Sequence, residues 1–188
     1  MKAVLITLVV VILVALVVGG QLIGIRNGLV TERNDIQGKF AEVDNAMKRR
    51  ADLIPNLVET VKGFAKQEKG VYDDIAAARS QLLNAQSPQE KINANNQLTG
   101  ALGRLLVVVE NYPQLKSDEN FLRLQDELSR TENRIAIARR DYNDAITKYN
   151  TDIELFPKNI AASLFGFQRN DAYFKTTEEE KKVPQVKF

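Results

Sequence analysis

The chain has 188 residues, with 26 Lys and Arg against 24 Asp and Glu. A charge this close to balance gives no general attraction to nucleic acid. Cysteine and histidine are both absent, which excludes disulfides, thiolate nucleophiles, Cys/His zinc sites, haem ligation by histidine and imidazole acid–base catalysis.

The first element is apolar. Residues 3–18 carry one polar side chain, Thr7, and no charge occurs between Lys2 and Arg26. The uncharged stretch 3–25 counts 23 residues, enough to cross a hydrocarbon core of ~30 Å. A cleaved secretory signal has a shorter apolar run of about 7–15 residues and a better small-x-small site than Val18-Gly19-Gly20. Residues 1–25 therefore read as a retained single-pass transmembrane anchor, with the lipid bilayer as the partner of residues 3–25. Arg26, Arg33 and Lys39 follow the span and only Lys2 and the α-amino group precede it. The positive-inside rule then leans toward a cytoplasmic soluble domain.

Four helices are expected after the anchor, over 26–51, 53–85, 88–112 and 118–156. Ile25, Leu29, Ile36, Phe40, Val43 and Met47 form the first apolar stripe. Asp52 can cap a new helix with Pro55 in its first turn, where the missing N–H matters little. The stripe nevertheless keeps phase across Pro55 through Ala51, Ile54, Val58, Val61 and Ala65, as in a kinked continuous helix. The two readings predict opposite directions for everything downstream. The second helix carries Leu57, Val61, Phe64, Tyr72, Ile75, Ala78 and Leu82. Ser87-Pro88-Gln89-Glu90 is a start signal, with Ser87 as cap and Pro88 at the first helical position. Gly100 and Gly103 in this third helix are expected to allow close helix approach. Pro113 stops it, and Ser117 or Asp118 caps the fourth.

The fourth helix is the longest and has neither proline nor glycine. Phe121, Leu124, Leu128, Thr131, Ile135, Ala138, Tyr142, Ala145, Tyr149, Ile153 and Phe156 form one seam at helical spacing. A seam this long needs other helices along it. An intramolecular bundle satisfies it more directly than an intermolecular coiled coil. Residues 158–188 differ in composition: Phe165, Phe167, Tyr173 and Phe174 crowd together, 176–182 is polar and charged, and 183–188 reads as a short extended segment.

Several constellations bear on chemistry. Glu110, Glu132, Arg134, Arg139, Arg140 and Asp141 concentrate charge beside the seam. An all-carboxylate site holds only a hard ion such as Ca²⁺ or Mg²⁺, and ion pairs, as between Asp126 and Arg130, explain these residues more simply. In the basic triplet Lys48-Arg49-Arg50, Arg49 or Arg50 is expected to pair with Asp52 or with acids of the fourth helix and hold the turn. Tyr142 and Tyr149 repeat at seven residues with Asn143 and Asn150 beside them. Flanking the seam, Glu132, Arg139, Arg140, Asn143 and Asn150 form the candidate interaction face. Phe165, Phe167, Tyr173 and Phe174 are candidate membrane contacts, because an even number of antiparallel helices returns the chain to the headgroups.

The segments Arg49-Arg50-Ala51-Asp52-Leu53-Ile54-Pro55-Asn56-Leu57-Val58, Gln97-Leu98-Thr99-Gly100-Ala101-Leu102-Gly103-Arg104-Leu105 and Glu110-Asn111-Tyr112-Pro113-Gln114-Leu115-Lys116 resemble the LemA family of bacterial membrane-anchored helical proteins. So do Thr131-Glu132-Asn133-Arg134-Ile135, Arg139-Arg140-Asp141-Tyr142-Asn143 and Phe156-Pro157. The resemblance implies an all-α fold, an N-terminal transmembrane helix followed by an antiparallel up-and-down four-helix bundle. It implies no established activity, and some relatives are associated with building intracellular membrane compartments. The expected function is a non-enzymatic membrane-anchored scaffold acting through self-assembly as a homo-oligomer, through a membrane-protein partner, or by shaping the bilayer. No catalytic residue, cofactor or metal is assigned, and no nucleic-acid partner. The alternative is an accessory or sensor subunit with a ligand pocket lined by Glu110, Arg139 and Tyr142.

Overall fold

The structure is a computed structural model that describes residues 2–174. The expected polar stretch 176–182 and extended segment 183–188 lie outside the described residues. Every regular element among those described is an α-helix: α1 Lys2–Phe64, α2 Lys69–Asn84, α3 Pro88–Glu110, the single turn α4 Pro113–Lys116, α5 Glu119–Glu154 and α6 Lys158–Phe165.

The expected break at 52 is not there. Helix α1 runs through Pro55, and the local chemistry accounts for it. A proline inside a helix leaves the carbonyl four residues back without its N–H partner. Here that carbonyl belongs to Ala51, and the Arg79 Nε of α2 donates to it at 2.7 Å. The pyrrolidine ring itself faces solvent while Ile54, Leu57 and Val58 are buried. The apolar stripe keeps its phase because the helix does.

The chain turns instead at 65–68, in the middle of the stretch expected to be the second helix. Between Ala65 and Val71 the sequence offers no apolar residue for a helical stripe. Tyr72 fixes the turn by donating its hydroxyl to the Ala65 carbonyl at 2.6 Å. Helix α3 begins as expected: Ser87 accepts from the Glu90 N–H while the Glu90 carboxylate accepts from the Ser87 N–H, a capping box with Pro88 at the first position. Asp118 caps α5 by accepting from the Phe121 N–H at 2.9 Å. Gly166 ends α6 at φ +70, with the Phe167 N–H donating to the Ala162 carbonyl. That left-handed position favours glycine. Gly100 and Gly103 do not mark close approach, since a Cβ at either would meet open space.

The chain divides into two compact units, and α1 and α5 contribute to both. The first comprises the residues up to Gly38 with Asn143–Asp171. Its buried side chains are Leu29, Ile36, Ile146, Tyr149, Asn150, Ala161 and Ala162. The apolar side chains of 4–18 are exposed throughout, in a helix long and apolar enough to cross a membrane. The second unit comprises Lys39–Tyr142 with the described residues from Ala172 onward. Its core joins Val43, Met47, Ala51, Ile54 and Val61 of α1 to Ile75 and Leu82 of α2, Leu98 and Leu105 of α3, and Phe121, Ile135 and Tyr142 of α5. Within it α2 packs on α3, and α4 on α3.

Candidate functional site

The largest fully buried side chain is charged. Arg50 of α1 is 1% exposed in the core of the second unit. It donates to the Glu132 carboxylate of α5 and to the Asn95 side-chain oxygen of α3. It also donates to the Asn95 carbonyl at 3.4 Å and the Thr99 hydroxyl at 3.3 Å. One guanidinium thus ties three helices. Its Nε is buried with no hydrogen-bond partner among the described residues. Burial pulls the Arg50 guanidinium below its ordinary value, and the Glu132 charge opposes that shift. Two residues of the basic triplet therefore meet acids of the long helix, Arg50 at Glu132 and Arg49 at 3.6 Å from Glu127 on the surface. Asp52 is exposed and 4.0 Å from Arg79.

The five residues of the candidate interaction face do not share one environment. Glu132 is the half-exposed counterion of Arg50. The Arg139 guanidinium lies 5.3 Å from the Phe174 ring, a cation–π distance. Arg140 is exposed and pairs with Asp141 at 3.0 Å. Asn143 and Asn150 belong to the first unit. Asn150 is buried: its amide donates to the Asn170 carbonyl at 2.8 Å and its oxygen accepts from the Asn170 N–H at 2.9 Å. Beside it, the Tyr149 hydroxyl donates to the Gln168 carbonyl at 2.9 Å.

The aromatic residues after α5 divide in the same way. In the second unit Phe174 is buried, edge-on to Tyr142 at 5.5 Å, and Phe40 lies at 5.5 Å from the same tyrosine. Tyr173 is half-buried. Phe174, one of the candidate membrane contacts, is thus placed in the core of that unit. In the first unit Arg33 lies 5.7 Å from the Phe167 ring and Arg26 lies 5.8 Å from the Phe165 ring. Of the trio Glu110, Arg139 and Tyr142, Glu110 is exposed at the end of α3, whereas Tyr142 is packed between two rings.

A second charged cluster, missed in the sequence, occupies the first unit. Glu32 receives Lys148, and Lys158 lies 3.9 Å from it. Lys158 also pairs with Asp152, and Lys148 is 3.6 Å from Asp152. Burial first, then the facing Asp152 carboxyl, holds the Glu32 carboxyl above its ordinary value. Asp152 is held below its ordinary value by its contacts with Glu32 and Lys158. The folded chain therefore keeps the Glu32 proton at pH values where the unfolded chain has lost it. That contribution to stability is fully present below pH 4.5 and is lost as pH rises through the raised folded value. Glu32→Gln cannot titrate and is expected to flatten this part of the curve. Denaturant unfolding of both proteins between about pH 4 and pH 8 checks it. Parallel curves would remove Glu32 from the account.

No group of three or more carboxylates gathers as a metal site among the described residues. The magnetosome proteins MamQ 1 and MamQ 2 of Paramagnetospirillum magneticum are each 29% identical, over 79% of this chain and 64% of the relative. Protein LemA of Metamycoplasma hominis is 28% identical, over 85% of this chain and 73% of the relative. The chain thus spans less than two thirds of the length of the MamQ proteins. The model of the LemA family matches residues 39–188, and the chain belongs to that family.

Proposed function

We propose that this protein is a non-enzymatic scaffold anchored in a bacterial membrane by residues 3–25. It acts by self-assembly or by binding a membrane-protein partner, beside the bilayer it helps to organise. The observation that carries this reading is α1 itself. An exposed apolar stretch and the buried stripe of a packed domain belong to one uninterrupted helix. A signal cleaved near Val18-Gly19-Gly20 would have to be cut out of the middle of that helix. The magnetosome relatives fit a place at a membrane compartment.

The soluble part is an antiparallel bundle in this proposal. Within the second unit Phe40 meets Tyr142 and Arg50 meets Glu132. Ten residues forward on α1 correspond to ten back on α5, as in two helices running in opposite directions. The charge excess just after the span favours a cytoplasmic bundle.

The full chain, purified in mild detergent, is expected to run as an oligomer or with a copurifying membrane protein when its mass is measured by light scattering. A strict monomer with no bound partner would overturn the scaffold reading. A second reading is a ligand-responsive accessory subunit. It draws on an open groove of ≈ 490 Å³ in the second unit, lined by Glu42, Asn45, Arg49, Arg134 and Asp141 among others.

A further inference from the structure

Helix α6 has three faces. Ala161 and Ala162 are buried. Asn159 and Ser163, one turn apart, form an exposed polar edge. Ile160 and Leu164, also one turn apart, form an exposed apolar edge at 54% and 65% exposure. Leu155 and Phe156, in the turn leading into α6, extend the apolar surface, and Phe156 is 79% exposed. Five large apolar side chains, with Phe165, are left uncovered in one short segment. A soluble surface rarely gathers such a patch without something to cover it.

Position along α1 decides what covers it. Both ends of α6 are tied to that helix: Lys158 pairs toward Glu32, and the Phe165 ring lies against the Arg26 guanidinium. Arg26 is the first charge after the uncharged stretch 3–25. Glu32 is six residues further, roughly 9 Å along the helix. The polar layer of a bilayer is about 5–8 Å thick on each side of the hydrocarbon. With residues 3–25 in the membrane, the Phe165 end of α6 stands in that layer and the Lys158 end just above it.

We infer that the Phe165 end of α6 is an interfacial segment, its Ile160–Leu164 edge resting among the headgroups at the boundary of the same bilayer that holds the anchor. This rests on the anchor reading above. Interfacial helices of this kind bury an apolar edge some 5–10 Å into the boundary while keeping a polar edge in water. Arg26 then sits between lipid phosphates and an aromatic ring, and the short helix fixes how deep α1 stands.

The chain has no tryptophan, so single-tryptophan variants of the full chain report cleanly. Ile160→Trp and Leu164→Trp report the apolar edge, Ser163→Trp the polar edge, and Leu13→Trp the anchor. Each is reconstituted in phosphatidylcholine vesicles with lipids brominated either near the carbonyl end or near the middle of the acyl chains. At positions 160 and 164 we expect blue-shifted emission, quenched most by bromine near the carbonyl end. At 163 we expect water-like emission that bromine leaves unchanged, and at 13 strong quenching by mid-chain bromine. Quenching at 13 with none at 160 and 164 would overturn the inference and leave the anchor standing. No quenching at 13 would remove the anchor and the inference with it. Blue-shifted emission at 160 and 164 that bromine does not touch would show that protein covers the edge, which also overturns it.

Discussion

Glu132→Leu is expected to lower the unfolding free energy by about 3 kcal/mol or more, because it leaves the Arg50 charge buried without its anion. Asn95 and Thr99 remain as partners, but neutral acceptors do not balance a buried cation. Arg50→Met should cost less, about 1–3 kcal/mol. It strands the Asn95 side-chain oxygen in the core, whereas Glu132, 46% exposed at its side chain, can turn to water. The order matters more than the magnitudes: losing the half-exposed acid is worse than losing the buried base. The double variant Arg50→Met with Glu132→Leu should be close to Arg50→Met alone. Denaturant unfolding followed by far-UV circular dichroism measures all four corners of this cycle. A Glu132→Leu change within about 0.5 kcal/mol would mean that the pair behaves as an ordinary surface contact.

The second large effect is conditional. Arg79→Met removes the donor from the Ala51 carbonyl, and a buried carbonyl left without a partner costs about 1–3 kcal/mol. In a Pro55→Ala background the chain supplies its own N–H at position 55, so the same Arg79→Met change should cost less than about 1 kcal/mol. The difference between the two costs is the measurable coupling. Equal costs in both backgrounds would show that Arg79 acts only through its packing or through Asp52.

These two sites also show what the sequence carries and what it hides. The stripe through Met47, Ala51, Ile54, Val58 and Val61 is legible because a helical period survives any local chemistry. That α1 continues through Pro55 was one of two open readings, and the deciding atom is on another helix. Periodicity cannot reveal that Arg79 lies within reach of a carbonyl on α1. The turn at 65–68 has no proline or glycine inside it, and its signal is a gap in the stripe between Ala65 and Val71. Moving the turn from 52 to 65–68 leaves the count of long helices after the span unchanged. Phe156 was assigned to the seam by spacing, but α5 ends at Glu154 and the ring is left exposed. Arg50 stood in a basic triplet that composition treats as surface. Nothing local separates it from Lys48 and Arg49 except its place on the apolar stripe. Glu132, Arg139, Arg140, Asn143 and Asn150 were grouped as a flank of one helix. The structure gives them separate neighbours, because α5 serves two units and a flank is outward only where nothing packs on it.

Asn150 and Tyr149 hold the segment after α6 at peptide groups: the Asn170 N–H and carbonyl, and the Gln168 carbonyl. A carboxamide presents the same donor and acceptor as a peptide unit, so these bonds do not read the side chains at 168 and 170. Mutational tolerance along the chain should therefore be lopsided. Position 168 is open to drift in side-chain chemistry as long as the backbone stays put. Position 150 admits little besides a carboxamide, since aspartate would set a second acceptor against the Asn170 carbonyl and leucine would offer neither bond.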